Sequence, residues 1–461
     1  MKTPFGGTAK WNKVYFIGIG GIGMSAIARF FAAHGVEVSG YDRTESALTR
    51  ELAAEGMKIH YEDRPELVPA DADLVIYTPA IPAELAELKK CRELNLKLRK
   101  RSEVLEEITK SSFNVCIAGT HGKTTITTIT AHLLRDSGFG CNAFLGGIAV
   151  NYDSNFWSSE KNVCVVEADE YDRSFLKLFP NIAVITAMDP DHLDIYGTAD
   201  SMEQAFIDFS NQVREGGLLV RHASLKRGKE LGRSSGTRQL SYSLNGPADV
   251  YAEGLRLENG AYEFDVVLPQ GKLEKVKLNM GGLHNIENAL AAITVASSLG
   301  IDENRIRKAV ENFRGVKRRF EYVIRNERTV FIDDYAHHPE ELRALILGAK
   351  GLFSERRMNL VFQPHLFTRT RDLAEGFAEV LDLADEVILL PIYPARELPI
   401  EGVSSEMIKN RMKNPHVRVM EKEELMKMIE GWKEKGDNNI LITAGAGDID
   451  LLVEPIKNKI R

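Results

Sequence analysis

Short apolar runs alternate with amphipathic stretches along most of the chain, and this order predicts an α/β fold. Runs that begin near Lys13, Asn114 and Asn162 have the residue types of buried strands. Each ends in a glycine-rich or acidic segment, and the first two continue into a helical pattern. Repetition of strand, loop and helix is typical of parallel sheets covered by helices.

The alternation changes between residues 218 and 280. Apolar and polar positions there alternate in short runs, and the Asn259-Gly260 pair is a strong hairpin signal. We expect a β-rich excursion without catalytic residues in this segment.

The chain is too long for one hydrophobic core, since it has 461 residues. The strand and helix pattern predicts three domains. We expect a Rossmann-like domain over 1–112, a central domain with a parallel sheet over 113–316, and a third parallel α/β domain over 317–461.

Composition narrows the class of protein. Apolar residues make up 44% and charged residues 27%, as in ordinary globular proteins, and the net charge of −7 argues against nucleic-acid binding. We find no secretory leader and no apolar run long enough to span a bilayer, which predicts a cytoplasmic protein without membrane insertion. The cysteines lack metal-binding spacing and are expected to be reduced thiols: Cys91, Cys116, Cys141 and Cys164.

The segment Val115–Thr125 combines a strand, a glycine loop and a helix start. Its loop holds Gly119 and Gly122, and such a loop points backbone amides at a phosphate group. Lys123 would contact the outer phosphates of a polyphosphate, and the Thr124 hydroxyl would hold Mg²⁺. The full P-loop pattern wants glycine where Ile117 stands, so a plain glycine turn at a helix start is the alternative.

A second glycine turn follows the first strand. Gly18, Gly20 and Gly23 form G-x-G-x-x-G, and Asp42 ends the next strand at the distance of a Rossmann ribose ligand. The turn predicts a nucleotide diphosphate, either NAD or a UDP-sugar. Thr78 and Ala80 end a further strand near the same crevice, and Arg101 is either a ligand for an anion or an exposed helix start.

Acidic residues end two strands of the central segment. Glu167, Asp169, Glu170 and Asp172 follow one strand, and Asp189, Asp191, His192 and Asp194 follow the other. A carboxylate at a strand end beside a phosphate loop is a usual Mg²⁺ ligand. His192 lies among carboxylates, so we weigh a ligand role equally with a structural one.

Later motifs leave two interpretations open. His284, Asn285 and Asn288 either bind an adenine edge or serve only to cap a helix. Arg318 and Arg319 are interpreted as an exposed basic pair. Three strand ends in the last segment predict another crevice, and they carry Asp334, Tyr335 and His337, then His365, Arg369 and Arg371, then the turn Gly445–Gly447.

Together these motifs resemble the Mur ligases, the ATP-dependent amino-acid ligases of peptidoglycan synthesis. The resemblance spans nearly the whole chain and rests on GIGGIGMSAIA, AGTHGKTTITT, VEADEYDRSF, DPDHLDIYG, GLHNIENALAA, RRFE, DDYAHHPEE, FQPHLFTRTRDL and TAGAGDI. It implies a UDP-substrate domain, a central ATPase domain and a C-terminal Rossmann-like domain for the amino acid. The first motif and the DDYAHHP and FQPH stretches are similar to the branch that joins L-alanine to UDP-N-acetylmuramate through an acyl phosphate.

The resemblance also implies a set of site residues. For the UDP-substrate they are Gly18, Gly20, Gly21, Gly23, Met24, Ser25, Asp42, Thr78, Ala80 and Arg101. For ATP they are Gly119, Thr120, His121, Gly122, Lys123, Thr124, Thr125, His284, Asn285, Asn288, Arg319 and Asp334. Two Mg²⁺ ions would use Thr124, Glu167 and His192; the amino-acid side would use Tyr335, His337, Arg369 and Arg371; and the catalytic group is Lys123, Glu167, His192, His337 and Arg369.

Several alternatives remain at this stage. The family branch that ligates a recycled murein tripeptide shares most of the ATP motifs. An NAD-dependent oxidoreductase would explain the first glycine turn only, and an ATP-hydrolysing switch would need no amino acid. Ala187 stands where the family commonly carries asparagine, and residues 205–213 offer no lysine for carbamylation. We expect a monomer or a weak homodimer.

Overall fold

The computed structural model describes residues 11–171, 173–190, 193–233, 236–244, 247–258, 261–395, 397–432 and 438–461. Four predicted features lie outside the described residues: Asp172, Asp191, His192 and the Asn259-Gly260 turn.

The first sheet has five strands in the order β3-β2-β1-β4-β5, and all four pairings are parallel. Its strands are β1 (Lys13–Ile17), β2 (Glu37–Tyr41), β3 (Lys58–His60), β4 (Leu74–Tyr77) and β5 (Leu98–Lys100). Its helices are α1 (Ile22–Ala33), α2 (Ala47–Ala54), α3 (Ala86–Glu93) and α4 (Arg101–Lys110). Strand order reverses at β1, so a crevice opens beyond the carboxyl end of β1.

The second sheet has ten strands in the order β15-β14-β13-β12-β11-β10-β6-β9-β7-β8. The strands are β6 (Phe113–Ala118), β7 (Asn142–Ala149), β8 (Ser154–Trp157), β9 (Val163–Glu167), β10 (Ile182–Ile185), β11 (Leu218–His222), β12 (Arg238–Ser243), β13 (Val250–Glu258), β14 (Ala261–Leu268) and β15 (Gly271–Leu278). The helices are α5 (Lys123–Asp136), α6 (Leu193–Tyr196), α7 (Ala199–Ser210), α8 (Leu283–Ser298) and α9 (Glu303–Asn312). Pairing is parallel from β7 across to β13, while β7 and β8 form an antiparallel hairpin. Strands β11 to β15 confirm the predicted β-rich segment.

The third sheet has the order β16-β17-β21-β18-β19-β20, with an antiparallel edge strand on an otherwise parallel sheet. Its strands are β16 (Glu321–Arg325), β17 (Thr329–Asp334), β18 (Arg357–Phe362), β19 (Glu386–Leu389), β20 (Val417–Val419) and β21 (Asn439–Ala444). Its helices are α10 (Pro339–Leu352), α11 (Phe367–Leu381), α12 (Ser405–Lys409), α13 (Lys422–Glu430) and α14 (Val453–Ile460). The predicted α/β architecture with three sheets is therefore confirmed.

The chain divides into two compact units. The first contains residues 1–253, 265–276 and 287–311, and the second contains 254–264, 277–286 and 312–461. The first sheet and strands β6 to β12 lie in the first unit, and the third sheet lies in the second. None of the helices in the described part of the chain is long and apolar enough to cross a membrane.

Candidate active site

The loop after β6, residues 119–122, has a backbone that only glycine tolerates at two positions. We name it the phosphate loop. Gly119 and Gly122 have φ values of +131° and +77°. A Cβ on Gly119 would lie 2.1 Å from the Thr186 hydroxyl oxygen, and a Cβ on Gly122 would lie 2.7 Å from Asn288 Oδ1. Both glycines are therefore needed for the turn that opens α5, which is the geometry of an anion-binding helix start.

Lys123 is the first residue of α5, and its ammonium lies over the phosphate loop. The Nζ atom donates to the Gly119 carbonyl at 2.7 Å and to Glu170 Oε1 at 2.7 Å. Glu170 is 1% exposed, and its Oε2 has no hydrogen-bond partner within the described residues. Burial raises the pKa of Glu170, and the Lys123 ammonium opposes that rise. The pair keeps a positive charge where a terminal phosphate would bind.

Glu167 ends β9 beside the phosphate loop. Its Oε1 accepts from the Thr124 hydroxyl at 3.0 Å, and its Oε2 accepts from the backbone amide of Gly146 at 3.1 Å. Strands β6 and β9 are paired in parallel, so their carboxyl ends bring these groups together. One hydroxyl oxygen and one carboxylate stand side by side, which is a ligand set that Mg²⁺ prefers.

The remaining predicted loop residues have different environments. His121 is exposed and lies 3.6 Å from Asp189, whose backbone amide donates to the Thr120 hydroxyl at 3.2 Å. The Thr120 amide donates to the carbonyl of Ala187 at 3.2 Å, so Ala187 contacts the loop through its backbone. The Thr125 side chain is buried.

The glycine turn after β1, residues 18–23, adjoins Asp42, as predicted for a Rossmann unit. Gly18 has φ +85°, and Gly20 donates its amide to Asp42 Oδ2 at 2.8 Å. A Cβ on Gly20 would lie 2.9 Å from that oxygen, and a Cβ on Gly23 would lie 2.5 Å from Arg101 Nη1. Thr78 lies beside the turn, because a Cβ added to Gly18 would be 3.5 Å from the Thr78 Cγ2 atom.

Of the other residues predicted at this turn, two are exposed and two are buried. Gly21 is exposed before α1, and Ala80 is exposed after β4. Met24 and Ser25 are buried, and their amides donate to the Gly21 carbonyl at 2.9 and 2.8 Å. The two side chains therefore point into the protein, and their predicted contact with substrate stays a prediction.

Arg101 connects the glycine turn with the acidic end of β9. Its guanidinium lies over Gly23, and its Nη2 lies 3.9 Å from Asp169 Oδ2. Asp169 is two residues from Glu167 and next to Glu170. Residues beside the two glycine turns therefore contact adjacent acidic residues, Arg101 at Asp169 and Lys123 at Glu170.

Helix α8 contributes one residue to the phosphate loop of the first unit, namely Asn288 beside Gly122. Asn285 is buried and donates its side-chain Nδ2 to the Gly281 carbonyl at 2.6 Å. It is the third residue of α8 and acts here as a donor, so this bond is not the acceptor contact of a helix cap, and both interpretations of the side chain stay open. His284 is exposed and packs over Gly282.

In the second unit, aromatic and basic side chains gather at the ends of β17 and β18. The His337 and His365 rings lie 6.1 Å apart, and Arg369 Nη1 is 3.4 Å from His365 Nδ1. Tyr335 borders His337, with ring centroids 5.3 Å apart. Burial lowers the pKa of both histidines, that of His365 to about 4, so both imidazoles are neutral near neutral pH. Arg371 instead is exposed and pairs with Asp372.

Two aspartates at the end of β17 carry unusual pKa values. Burial raises the pKa of Asp333 to about 7 and that of Asp334 to about 6. Asp334 accepts from the amides of Phe320 and Ala336 at 2.6 and 2.7 Å, which fixes the segment that precedes β16. Arg318 lies 3.7 Å from Asp333 and 3.3 Å from Asp450.

The interpretation of residues 318 and 319 as an exposed basic pair is wrong for Arg318. Its guanidinium forms two ion pairs and packs on the Tyr335 ring at 4.9 Å, whereas Arg319 is exposed. Asp333 lies on β17 and Asp450 follows β21, so both partners are outside the stretch around Arg318 and the local charge pattern gave no signal for them.

Sequence reasoning also missed the specific partners of several residues. It placed Glu170 among four acidic residues without assigning it to Lys123. It did not single out Tyr393, whose ring stacks on His365 with centroids 5.7 Å apart, or Asn155, which is fully buried against α1. For these residues the only sequence signal was the FQPH motif, which identified His365 but not its neighbour Tyr393.

Models of known protein families match three consecutive stretches of the chain. These are the Mur ligase family catalytic domain over residues 13–113, the Mur ligase middle domain over 117–296 and the Mur ligase glutamate ligase domain over 318–447.

Curated relatives match over almost the full length. The UDP-N-acetylmuramate–L-alanine ligases of Flavobacterium johnsoniae and Parabacteroides distasonis are each 46% identical, with 97% of this chain and 97% of the relative covered. Among solved structures, UDP-N-acetylmuramate-alanine ligase MurC from Thermotoga maritima matches with a TM-score of 0.82 and 28% identity, covering 97% of this chain and 98% of that one. A murein peptide ligase from Psychrobacter arcticus shares the fold, with a TM-score of 0.68 and 22% identity over 97% and 99% of the two chains.

The order of the three matched domains agrees with the order of the motifs in the sequence. The family models cover both glycine turns and both His337 and His365, and the relatives are nearly half identical over almost the full length, so the chain belongs to the Mur ligase family.

Proposed function

We propose that this protein joins L-alanine to the lactyl carboxylate of UDP-N-acetylmuramate and converts ATP to ADP and phosphate. A substrate carboxylate oxygen attacks the γ-phosphorus, the bond to the bridging oxygen of ADP breaks, and an acyl phosphate forms. The amine of L-alanine then attacks the acyl carbon, loses a proton and displaces phosphate, which leaves an amide.

One structural observation supports this proposal independently of the similarity to the relatives. Two glycine turns of the first unit, at residues 18–23 and 119–122, approach one acidic segment through Arg101 and Lys123. A carboxylate on a UDP-sugar and the triphosphate of ATP repel each other, so positive charge between them is required before attack.

On the ATP side, the phosphate loop supplies backbone amides and Lys123 supplies a charge. The ammonium would exchange its contact with Glu170 for the γ-phosphate and balance the charge that develops there. Asn288 lies against Gly122, which suits a role beside the nucleotide.

The residues present also fit Mg²⁺. Thr124 and Glu167 offer a hydroxyl and a carboxylate oxygen 3.0 Å apart, both hard donors. His192 would complete the proposed ligands, and two ions remain part of the proposal. When bound, the metal would neutralise phosphate charge and so favour in-line attack.

The second unit would bring the amino acid. The neutral imidazole of His337 is suited to accept the proton that the attacking amine loses, and Arg369 is suited to hold the alanine carboxylate. Tyr335 and Arg371 are the remaining proposed residues of this side, although the exposed pair with Asp372 makes Arg371 the weakest among them.

The tripeptide-adding activity is the second candidate, and the structural likeness supports it less. The Psychrobacter murein peptide ligase matches with lower TM-score and identity than the Thermotoga alanine ligase. An oxidoreductase leaves the second glycine loop and its carboxylates without a role.

Phosphate release tests the proposal. We expect release with ATP, UDP-N-acetylmuramate and L-alanine together, and little release when any one is omitted. Glycine, L-serine and a murein tripeptide serve as competing acceptors. Release with the tripeptide but not with L-alanine would contradict the proposal, and release with ATP alone would indicate a switch.

A further inference from the structure

The first turn of α1, which follows the glycine turn, is held by a residue of the central sheet. Asn155 lies on β8 and is fully buried. Its Nδ2 donates to the Ile22 carbonyl at 2.6 Å and to the Ser25 hydroxyl at 2.9 Å. Ile22 is the first residue of α1, so this amide contacts the helix where a pyrophosphate would bind.

The other end of the Asn155 amide accepts from Arg29. That arginine is on α1 and is itself buried, and both oxygens of Glu55, the residue directly after α2, accept from its guanidinium. The Asn155 side-chain oxygen therefore accepts from Arg29, and its nitrogen donates to Ile22 and Ser25 in an earlier turn of the same helix. The amide orientation is determined, because Arg29 can only donate.

The hairpin that carries Asn155 also contacts the ATP side. Phe144 and Phe156 of the hairpin pack on Phe30 of α1, with ring centroids 5.5 and 6.0 Å away. Gly146 of the same hairpin donates its amide to Glu167, and a Cβ there would lie 2.2 Å from the Glu167 carboxylate. One hairpin therefore supports the glycine turn on one side and a proposed metal ligand on the other.

We propose that Asn155 is a positioning residue for the UDP-substrate. It belongs to the central sheet and does not need to touch the substrate. Its amide sets the orientation of the first turn of α1 and hence of the glycine turn whose amides receive the pyrophosphate. The inference rests on the proposed function for the identity of that ligand.

Asn155→Asp separates this role from general packing. Aspartate keeps the size and the contact with Arg29, but it replaces the donor with an oxygen that faces the Ile22 carbonyl. It also adds negative charge beneath the pyrophosphate site. We expect the Kd for UDP and the KM for UDP-N-acetylmuramate to rise about tenfold, which is about 1.4 kcal/mol, while the KM for ATP stays within about twofold.

Asn142→Asp is the matched control. Asn142 is a buried asparagine of the same hairpin, and its amide donates to the carbonyls of Lys161 and Val163, away from α1. We expect UDP affinity within about twofold of wild type. Asn155→Ser is a milder second variant, since a hydroxyl is too short to reach both Ile22 and Arg29.

UDP binding is measured by calorimetry on the full chain, and only variants with the wild-type circular dichroism spectrum are compared. Unchanged UDP affinity in both Asn155 variants, or an equal loss in Asn142→Asp, would overturn the positioning role. A parallel rise in the KM for ATP would also overturn it, because a structural defect would affect both sites. If wild-type protein binds UDP yet makes no alanyl product, the proposed function fails while the affinity comparison still decides the role of Asn155. Absence of UDP binding by wild type would overturn both.

Discussion

In the proposed function, the Lys123–Glu170 ion pair would be exchanged for a contact between Lys123 and a phosphate when ATP binds. Glu170 has one oxygen on the ammonium and the other without a partner within the described residues. A buried carboxylate with unused acceptor capacity is costly, so the pair is expected to be kept for function. A phosphate bound as proposed would compete with Glu170 for the Lys123 ammonium.

Replacement of Lys123 by alanine tests this arrangement. We expect ligation to fall at least about a thousandfold because the charge at the phosphate is lost. The free energy of unfolding should also fall by roughly 2–4 kcal/mol, since Glu170 is left buried and unpaired. Phosphate release and urea unfolding measure the two effects.

The double variant Lys123→Met with Glu170→Gln is the companion experiment. It removes both charges, so stability should recover in part while ligation stays absent. Near-normal turnover in Lys123→Ala would contradict the placement of the ATP site.

Gly146 lies against the Glu167 carboxylate, so a substitution at this glycine tests the proposed metal ligand. In Gly146→Ala the new Cβ would overlap Glu167, so the carboxylate must move away from Thr124. We expect turnover to fall at least tenfold and half-maximal activity to need more Mg²⁺. Gly351→Ala, where a Cβ meets nothing within 4 Å, is the control and should behave as wild type.

The pH dependence of stability can be assigned in part to His365. Burial, Arg369 and His337 together lower its pKa to about 4, below the ordinary value of 6.5. The unfolded chain therefore binds a proton that the folded protein does not, and stability falls as pH drops from about 6.5 towards 4. His365→Gln should make this decline shallower by about 1–2 kcal/mol, after allowance for partial exposure. Thermal melting at several pH values measures it, and an equal slope in both proteins would contradict the assignment.

At the scale of elements, His132 joins three segments of the first unit. It lies on α5, accepts from the Tyr152 hydroxyl at 2.8 Å, and donates from Nε2 to the Ala309 carbonyl of α9 at 2.9 Å. The ring is buried, which lowers its pKa and keeps it neutral. Neither partner lies in the proposed site.

His132→Ala should therefore affect stability more than function. We expect the free energy of unfolding to fall by about 2–4 kcal/mol through a cavity and two lost hydrogen bonds. The KM for ATP should change little. His416→Ala, at an exposed position, is the control and should stay within about 0.5 kcal/mol.

Elements and strand ends were predictable because their signals are local. The apolar run before Gly119 and the helical pattern after Lys123 lie next to each other in sequence, so the phosphate loop could be recognised. Partners were not predictable, because they depend on which strands become neighbours. Arg29 and Asn155 are 126 positions apart, and Lys123 and Glu170 are 47 apart. The metal role of His192 lies outside the described residues and stays a prediction.

At the scale of the whole molecule, all four cysteines lie in the first of the two units, so their reactivity measures the unfolding of that unit. Cys91, Cys116, Cys141 and Cys164 are all buried, free and located in the first unit. Burial raises the pKa of each thiol, that of Cys91 and Cys164 to about 11 and that of Cys141 to about 12. Folded protein should therefore react very slowly with a thiol reagent.

Thiol labelling during a urea titration tests whether the first unit unfolds as one cooperative unit. We expect all four thiols to become reactive together when the first unit unfolds. Trp432 fluorescence in a variant without the other tryptophans would follow the second unit. Reaction of one cysteine well before the others would contradict cooperative unfolding of the first unit.

The contact between Asn155 and Ile22 has a consequence for recombination among relatives. If the glycine turn binds the UDP-substrate as proposed, the N-terminal Rossmann-like domain does not fold its binding turn independently, because Asn155 of a hairpin encoded over a hundred codons later supports that turn. Chimeras joined near residue 112 would combine a turn from one parent with a hairpin from the other. We expect such hybrids to be most active when residues 142–157 come from the same parent as the N-terminal domain. The segments that determine the proposed UDP-substrate site would then be discontinuous in the gene.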